Sequence, residues 1–344
     1  MKVLVTGASG FIGGNLVREL AAQGYTVRAL IRKHSIARAL EGLDVEVVEG
    51  DLLKKESLEK ALDGCEALFH VAAMYTFWAW DPSLIYETNV KGTENILLAA
   101  KEKGIKKIVY TSSESTVGIA EHCTGNEKGQ GDVERIPSDY KKSKFLAEAI
   151  VAGVCREGMP VVIVNPTTPI GPFDTKPTPT GKIVLDYLDG KMFACVNTGL
   201  NVIDVRDVAK GHILALEKGR PGERYILGNK NVTLREIMAA LEKITGIKAP
   251  RFNIPIWFAM TAGYCDEFIE GKLIGRHPRI PVSAVKASRH FRHFDCSKAV
   301  TELGLPQTPV EIAFADAVKW FIENGYVKNN KAIKRISLRD HPTM

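Results

Sequence analysis

Residues 2–32, KVLVTGASGFIGGNLVRELAAQGYTVRALIR, leave a chain few ways to fold. A short, mostly apolar strand, Lys2 to Thr6, runs directly into Gly-Ala-Ser-Gly-Phe-Ile-Gly. A helical pattern follows, with Leu16, Leu20 and Ala21 on one face, and then a second strand, TVRALIR. Strand, glycine loop, helix and strand in this order make the mononucleotide-binding βαβ unit. Gly7 permits the tight turn, Gly10 lets the backbone approach a pyrophosphate, and Gly13 lets the helix pack close to the sheet. The helix start, through Phe11 and Ile12, offers unpaired N–H groups and a partial positive charge to the phosphates. A bound dinucleotide is expected at these five residues.

The end of the second strand selects the cofactor. An NAD site carries a carboxylate there that accepts from the adenosine ribose 2′-OH. This chain has LIRKHSIAR instead, with Arg32 and Lys33 and no acid before Glu41. A guanidinium clamps a 2′-phosphate with two charge-assisted hydrogen bonds, whereas a carboxylate repels it. The expected cofactor is NADP(H), held by Arg32 with Arg38 as a second hand.

At 344 residues, with 45% hydrophobic and 25% charged side chains, the chain has ample material for a large α/β core. The net charge of +6 suits an anionic ligand. It forms no patch outside the C-terminal KNNKAIKRISLRDHPTM, read as a frayed basic tail, so no nucleic-acid partner is expected. Six scattered cysteines without zinc-like spacing read as reduced thiols in a cytoplasmic protein with no metal site. His290 and His293 read as surface histidines. No signal peptide and no membrane-spanning run is visible, so a small molecule is the expected partner.

Two Tyr-x-x-x-Lys pairs compete for a catalytic role: Tyr140 with Lys144, and Tyr187 with Lys191. Tyr140 opens a helix and Lys144 lies one turn on, on the same face, while Lys141 and Lys142 point toward solvent. A phenol titrates near 10, so it needs a neighbouring cation before its anion is tolerable at neutral pH. Ser113 ends an upstream strand at the edge where ligands bind in such sheets, and can hold a substrate oxygen. Tyr187 lacks such company, because Asp189-Gly190 interrupts the run to Lys191. Tyr140, Lys144 and Ser113 are the candidate catalytic residues.

The loop spacing Gly-x-x-Gly-x-x-Gly, with the Ser-Tyr-Lys set, resembles the extended branch of the short-chain dehydrogenase/reductases. NPTTPIGPFDTKPTPTG, NTGLNVIDVRDVAKGH and GERYILGN carry a likeness to the hopanoid-associated sugar epimerases and to dihydroflavonol 4-reductases. The resemblance implies a Rossmann doubly wound parallel sheet over 1–165, re-entered at about 200–228. It implies a smaller substrate-binding cap from 166–199 and 229–330, before the basic tail at 331–344, in a monomer or homodimer. It favours Ser113 over Ser112 as the triad serine and implies that Asn89 holds water beside Lys144. It also places Asp51 and Leu52 at the adenine, Ala72 and Ala73 under the cofactor, and Pro166 at the nicotinamide. Thr167 follows Pro166 as a substrate candidate. Tyr75, Trp78 and Trp80, in MYTFWAWDP, are expected to roof the active site, and the apolar IPIWFAMTAGYC (254–265) to fill the cap core, with an exposed apolar face for a lipidic substrate as the alternative.

The reaction is the harder choice. The sugar-nucleotide epimerase pattern places an arginine seven positions before the Asp of Asp-Val-Ala; counting back from Asp207 lands on Leu200. The reading is therefore an NADP(H)-dependent reductase of a carbonyl on a bulky, largely uncharged substrate, with Tyr140 as acid/base. An NDP-sugar epimerase or dehydratase is the alternative, with Arg289 or Arg292 replacing the missing clamp. A non-catalytic NADP sensor is a further alternative, disfavoured by the intact Ser-Tyr-Lys set.

Overall fold

The computed structural model describes residues 1–336 except 34, 36, 120–122, 130, 134, 135, 137, 331, 334 and 335. Most of the expected basic tail at 331–344 lies outside the described residues. The strands are β1 (Lys2–Thr6), β2 (Thr26–Ile31), β3 (Glu46–Glu49), β4 (Ala67–His70), β5 (Lys107–Thr111) and β6 (Val161–Pro166). Then come β7 (Thr168–Ile170), β8 (Ala194–Cys195), β9 (Gly199–Asp204), β10 (Arg224–Leu227), β11 (Lys230–Thr233) and β12 (Phe252–Asn253). The helices are α1 (Phe11–Ala22), α2 (Lys55–Leu62), α3 (Ser83–Tyr86), α4 (Gly92–Glu102), α5 (Asp139–Arg156) and α6 (Pro179–Leu188). They continue with α7 (Val205–Lys218), α8 (Leu234–Thr245), α9 (Ile256–Asp266), α10 (Val282–Ala287) and α11 (Val310–Glu323).

Seven strands form one parallel sheet in the order β10-β6-β5-β4-β1-β2-β3, so the expected Rossmann-like α/β fold is the one observed. Because both faces are covered, the inner strands are apolar at nearly every position rather than alternating. Val3 and Val5 face a cluster with Leu16 and Leu20 of α1 and Val208 of α7. Leu4, between them, faces the opposite cluster with Leu58 of α2, Ile96 of α4 and Ala147 of α5. The strand order reverses between β1 and β4, and the crevice beyond the carboxyl ends of those strands is where such sheets bind ligands.

A smaller sheet, β11-β9-β7, packs with α6, α8 and α11 around Val184, Tyr187, Met238, Leu241, Phe314 and Phe321. Residues 199–204, expected on the way back into the large sheet, form β9 of this smaller one, because β7 and β11 supply its hydrogen-bonding partners. The chain regains the large sheet through α7 and β10.

The segment 254–265 does not fill the cap core; it leaves an apolar face exposed, as its alternative reading had it. In α9 only Ala259, Met260 and Gly263 are buried, while Trp257 is 66% exposed. One side of the helix packs on Val282 and Val285 of α10, and nothing described covers the other. No helix among the described residues is long and apolar enough to cross a membrane.

Candidate active site

The phosphate loop is built by close approach. Gly7 sits at φ +71°, and a Cβ there would lie 2.7 Å from the Ala72 Cα. A Cβ on Gly13 would lie 2.1 Å from the Gly7 carbonyl oxygen, so the helix can start over the turn only with glycine there. Gly10 donates its N–H to the Gly7 carbonyl at 2.9 Å, and no side chain caps α1. The N–H groups of its first turn, at Phe11 and Ile12, are thus left for an anion. Thr6, at the end of β1, accepts from the N–H groups of Val71 and Ala72 at 3.1 Å each and bonds His70 Nδ1 at 2.8 Å. Burial takes His70 down to about 3, so it acts as a neutral strut between Thr6 and Thr93. These features fit a dinucleotide pyrophosphate.

Arg32 and Arg38, just past β2, are exposed, and neither guanidinium has an ion-pair partner among the described residues. Asp51 is half-buried, its Oδ1 accepting the Leu53 N–H at 3.0 Å. Leu52 is buried against Gly92, where a Cβ would stand 2.9 Å from its own. Ala72 and Ala73 are half-buried in the turn after β4, and Pro166 ends β6.

Tyr140 stands in the first turn of α5, whose N-cap Ser138 accepts the Lys141 N–H. Burial and the Glu114 carboxylate push the Tyr140 hydroxyl above the usual phenol range, while a hydrogen-bonding contact with Ser113 pulls it down. Lys144 is 2% exposed; its Nζ donates to the Thr111 carbonyl at 2.7 Å and lies 4.6 Å from the Tyr110 ring centre. Burial lowers it to about 7, with Glu148 opposing. Asn89 falls in a π-helical turn, Glu87–Lys91, inserted between α3 and α4. Its amide accepts the Met74 N–H at 2.7 Å and donates to the Ser143 hydroxyl at 2.9 Å, tying the turn after β4 to α5. Ser113 is the serine in hydrogen-bonding contact with Tyr140, and its Oγ also accepts from the Ser115 N–H at 3.2 Å and the Ser115 hydroxyl at 2.9 Å.

Ser112 belongs to a network that the sequence did not suggest. It donates to Glu148, which also accepts from Thr116 at 2.7 Å and Asn165 at 3.0 Å and pairs with Arg224 at 3.1 Å. Tyr140, Lys144 and Glu148 lie on three successive turns of α5. The repeat at i+4 was the available signal; the burial of Glu148 and its pairing with Arg224, 76 residues further on, were not in it.

Lys141 was expected in solvent and is buried, 4.0 Å from Glu114. Burial, and then Arg292, bring it down to about 8 against the pull of Glu114. Arg292 in turn clasps Glu114 through Nε and Nη2, the latter also donating to the Glu114 carbonyl at 3.2 Å. Glu114 therefore draws both cations inward beside Tyr140. His293, expected at the surface, is half-buried because it packs across Gly199 with its Nε2 enclosed; His290 is exposed.

Of the three expected roof aromatics, Tyr75 meets the site directly, its ring centre 4.7 Å from that of Tyr140. Trp78 packs between Trp80 (4.9 Å) and His277 (5.5 Å), and Trp80 is 64% exposed. Thr167 spends its hydroxyl on Asn201 at 2.9 Å.

Against known proteins, residues 3–228 match the model of the NAD dependent epimerase/dehydratase family. The chain is 47% identical over 329 residues to a Synechocystis protein named "Putative dihydroflavonol 4-reductase", covering 94% of this chain and 95% of that one. It is 36% identical to the sterol demethylase protein B of Methylococcus capsulatus, over 95% of this chain and all of that one. Its fold is similar to that of a nucleoside-diphosphate-sugar epimerase from Pseudomonas aeruginosa (TM-score 0.79, 26% identity, 95% and 99% covered).

Proposed function

Starting from a chain that belongs to the NAD dependent epimerase/dehydratase family, we propose an NADP(H)-dependent reductase acting on a carbonyl of a bulky, largely uncharged substrate. The family and the reductase name of the Synechocystis relative support an oxidoreductase that binds a nicotinamide dinucleotide. The observation that carries the choice of reaction is the charge beside Tyr140. Arg292, a base that could replace the missing diphosphate clamp, is already held by Glu114, and the clamp position itself is Leu200. A site whose nearest base is already paired favours an uncharged substrate, in keeping with the sterol in the Methylococcus relative's name.

The glycine loop, Phe11 and Ile12 would hold the pyrophosphate, with Arg32 and Arg38 on the 2′-phosphate and Lys144 on the nicotinamide ribose. When bound, the reduced nicotinamide supplies the hydride. Ser113 holds the substrate oxygen through its hydroxyl. Tyr140, kept protonated at neutral pH, gives that oxygen its proton, and the Lys144 ammonium steadies the tyrosinate left behind. Asn89 keeps the floor of the site attached to α5. Residues 166–199 and 229–330 act as the cap that excludes water.

A second reading, an NDP-sugar epimerase, draws on Arg289, which is exposed and has no ion-pair partner among the described residues. The two separate on the cofactor. The purified protein is denatured and any released nicotinamide identified, then NADPH and NADH are titrated into the native chain. An empty site that prefers NADPH is expected, with Arg32→Ser weakening NADPH binding about 10- to 100-fold and sparing NADH. Stoichiometric NAD release would replace the reductase reading with the epimerase.

A further inference from the structure

α9 is apolar nearly all round, and the π-helical turns after it (Glu267–Ile274) continue its outer side with Phe268, Ile269 and Leu273. Their inner side packs on α10; on the outer side Trp257, Phe258, Tyr264, Phe268, Ile269 and Leu273 are each between 47% and 68% exposed. A helix apolar all round is normally buried in a core or in lipid, and among the described residues nothing covers this one. The charges around it are sorted. Residues 247–290 hold only three acids, Asp266, Glu267 and Glu270, and all three are half-buried. Two of these face inward, Asp266 accepting the Ile280 N–H and Glu267 the Val282 N–H, both at 2.7 Å. Lys248, Arg251, Lys272, Arg276, Arg279 and Lys286 are exposed and have no ion-pair partner among the described residues.

Aromatic and aliphatic side chains ringed by unpaired bases are what a helix lying in an anionic membrane interface presents. The face is also joined to the candidate active site. A Cβ on Gly271 would touch Trp78 at 3.4 Å, one on Gly275 would touch Trp80 at 3.8 Å, and Ser283 donates to the Phe77 carbonyl at 2.6 Å. The loop so held carries Tyr75 to Tyr140.

We propose that this face docks the protein on a bilayer carrying anionic phospholipid, with the mouth of the site turned toward the membrane. A symmetric dimer through the same face would set its unpaired bases against their own copies, which is unfavourable. The proposal stands apart from the reductase reading, because it is tested without substrate or turnover.

The full chain is floated with vesicles of phosphatidylcholine alone and of phosphatidylcholine with phosphatidylglycerol. Flotation with the anionic vesicles is expected, weakening about fivefold for each base removed in Lys272→Gln and Arg276→Gln. It is lost in Trp257→Ser/Phe268→Ser/Leu273→Ser, whose circular dichroism and NADPH binding report that the fold is intact. Absence of flotation by the wild type, or flotation unchanged in both the charge and the apolar variants, would overturn the proposal. So would a wild-type dimer that the triple substitution turns into a monomer without lipid, since a second copy would then be the occupant.

Discussion

Tyr140-Lys144 and Tyr187-Lys191 have the same spacing and stand in opposite settings. In α5 the helix runs on for three more turns, so tyrosine and lysine share one face, at the sheet edge where β5 delivers Ser113. In α6 the helix stops at Leu188 and the chain turns through Gly190 at φ +70°, which carries Lys191 away to Asp186 and Asp189. Tyr187 is 2% exposed and donates its hydroxyl to the Ile247 carbonyl at 2.5 Å, a structural bond between α6 and the segment after α8. Spacing proposes a pair; the continuity of the helix and what lies opposite it decide whether the pair can do chemistry.

The largest expected effect breaks the comparison at its centre. Tyr140→Phe is expected to cut kcat by about 10²- to 10⁴-fold while NADPH still binds, because on the proposed mechanism it removes only the proton donor. Retained turnover would dismiss Tyr140 as the acid.

The carboxylates beside the two helices come next. Glu148 is fully engaged, by Ser112, Thr116, Asn165 and Arg224, and its charge holds the Lys144 proton on against burial. Glu148→Gln is expected to cost about 1.5–3 kcal/mol in urea unfolding, since the half-buried Arg224 loses its counter-charge. It also lowers the Lys144 pKa further, so the alkaline limb of kcat/KM moves to lower pH. A profile that keeps its limb would separate Glu148 from Lys144.

Asp174, which accepts from the N–H and hydroxyl of Thr178 at the head of α6, is only half satisfied. Burial raises it to about 7 against those two bonds. Its folded carboxyl therefore binds a proton more tightly than the unfolded one, which titrates near 4. Stability should fall as pH rises from about 4 to 7, with the full penalty above that window. Asp174→Asn is expected to raise stability at pH 8, by at most about 4 kcal/mol, and to change nothing at pH 4. Equal gains at both pH values in thermal melts would locate the effect in packing instead.

Tyr187→Phe carries the smallest effect. It should leave turnover unchanged and cost about 1 kcal/mol, the worth of one buried hydrogen bond. Lost activity there would undo the distinction between the two pairs.

The first thirty residues were legible almost atom by atom, because a glycine loop between a strand and a helix is specified by backbone geometry within a few positions. Tyr140 and Lys144 were legible for the same reason: a helix sets i and i+4 on one face by itself. What the sequence left open was every partner brought from a distance. Lys141 reads as a solvated helix lysine until Glu114 and Arg292 close around it. Glu148 gains its role only when Arg224 and Asn165 arrive from β10 and β6. The segment 254–265 reads as core because apolar composition says that a helix wants to be covered, but not whether the same chain covers it. Local periodicity determined where Tyr140 and Lys144 stand; only tertiary packing decided which charges face them and which apolar surface was left exposed. Burial and pairing energies depend on residues that are neighbours in space and not along the chain.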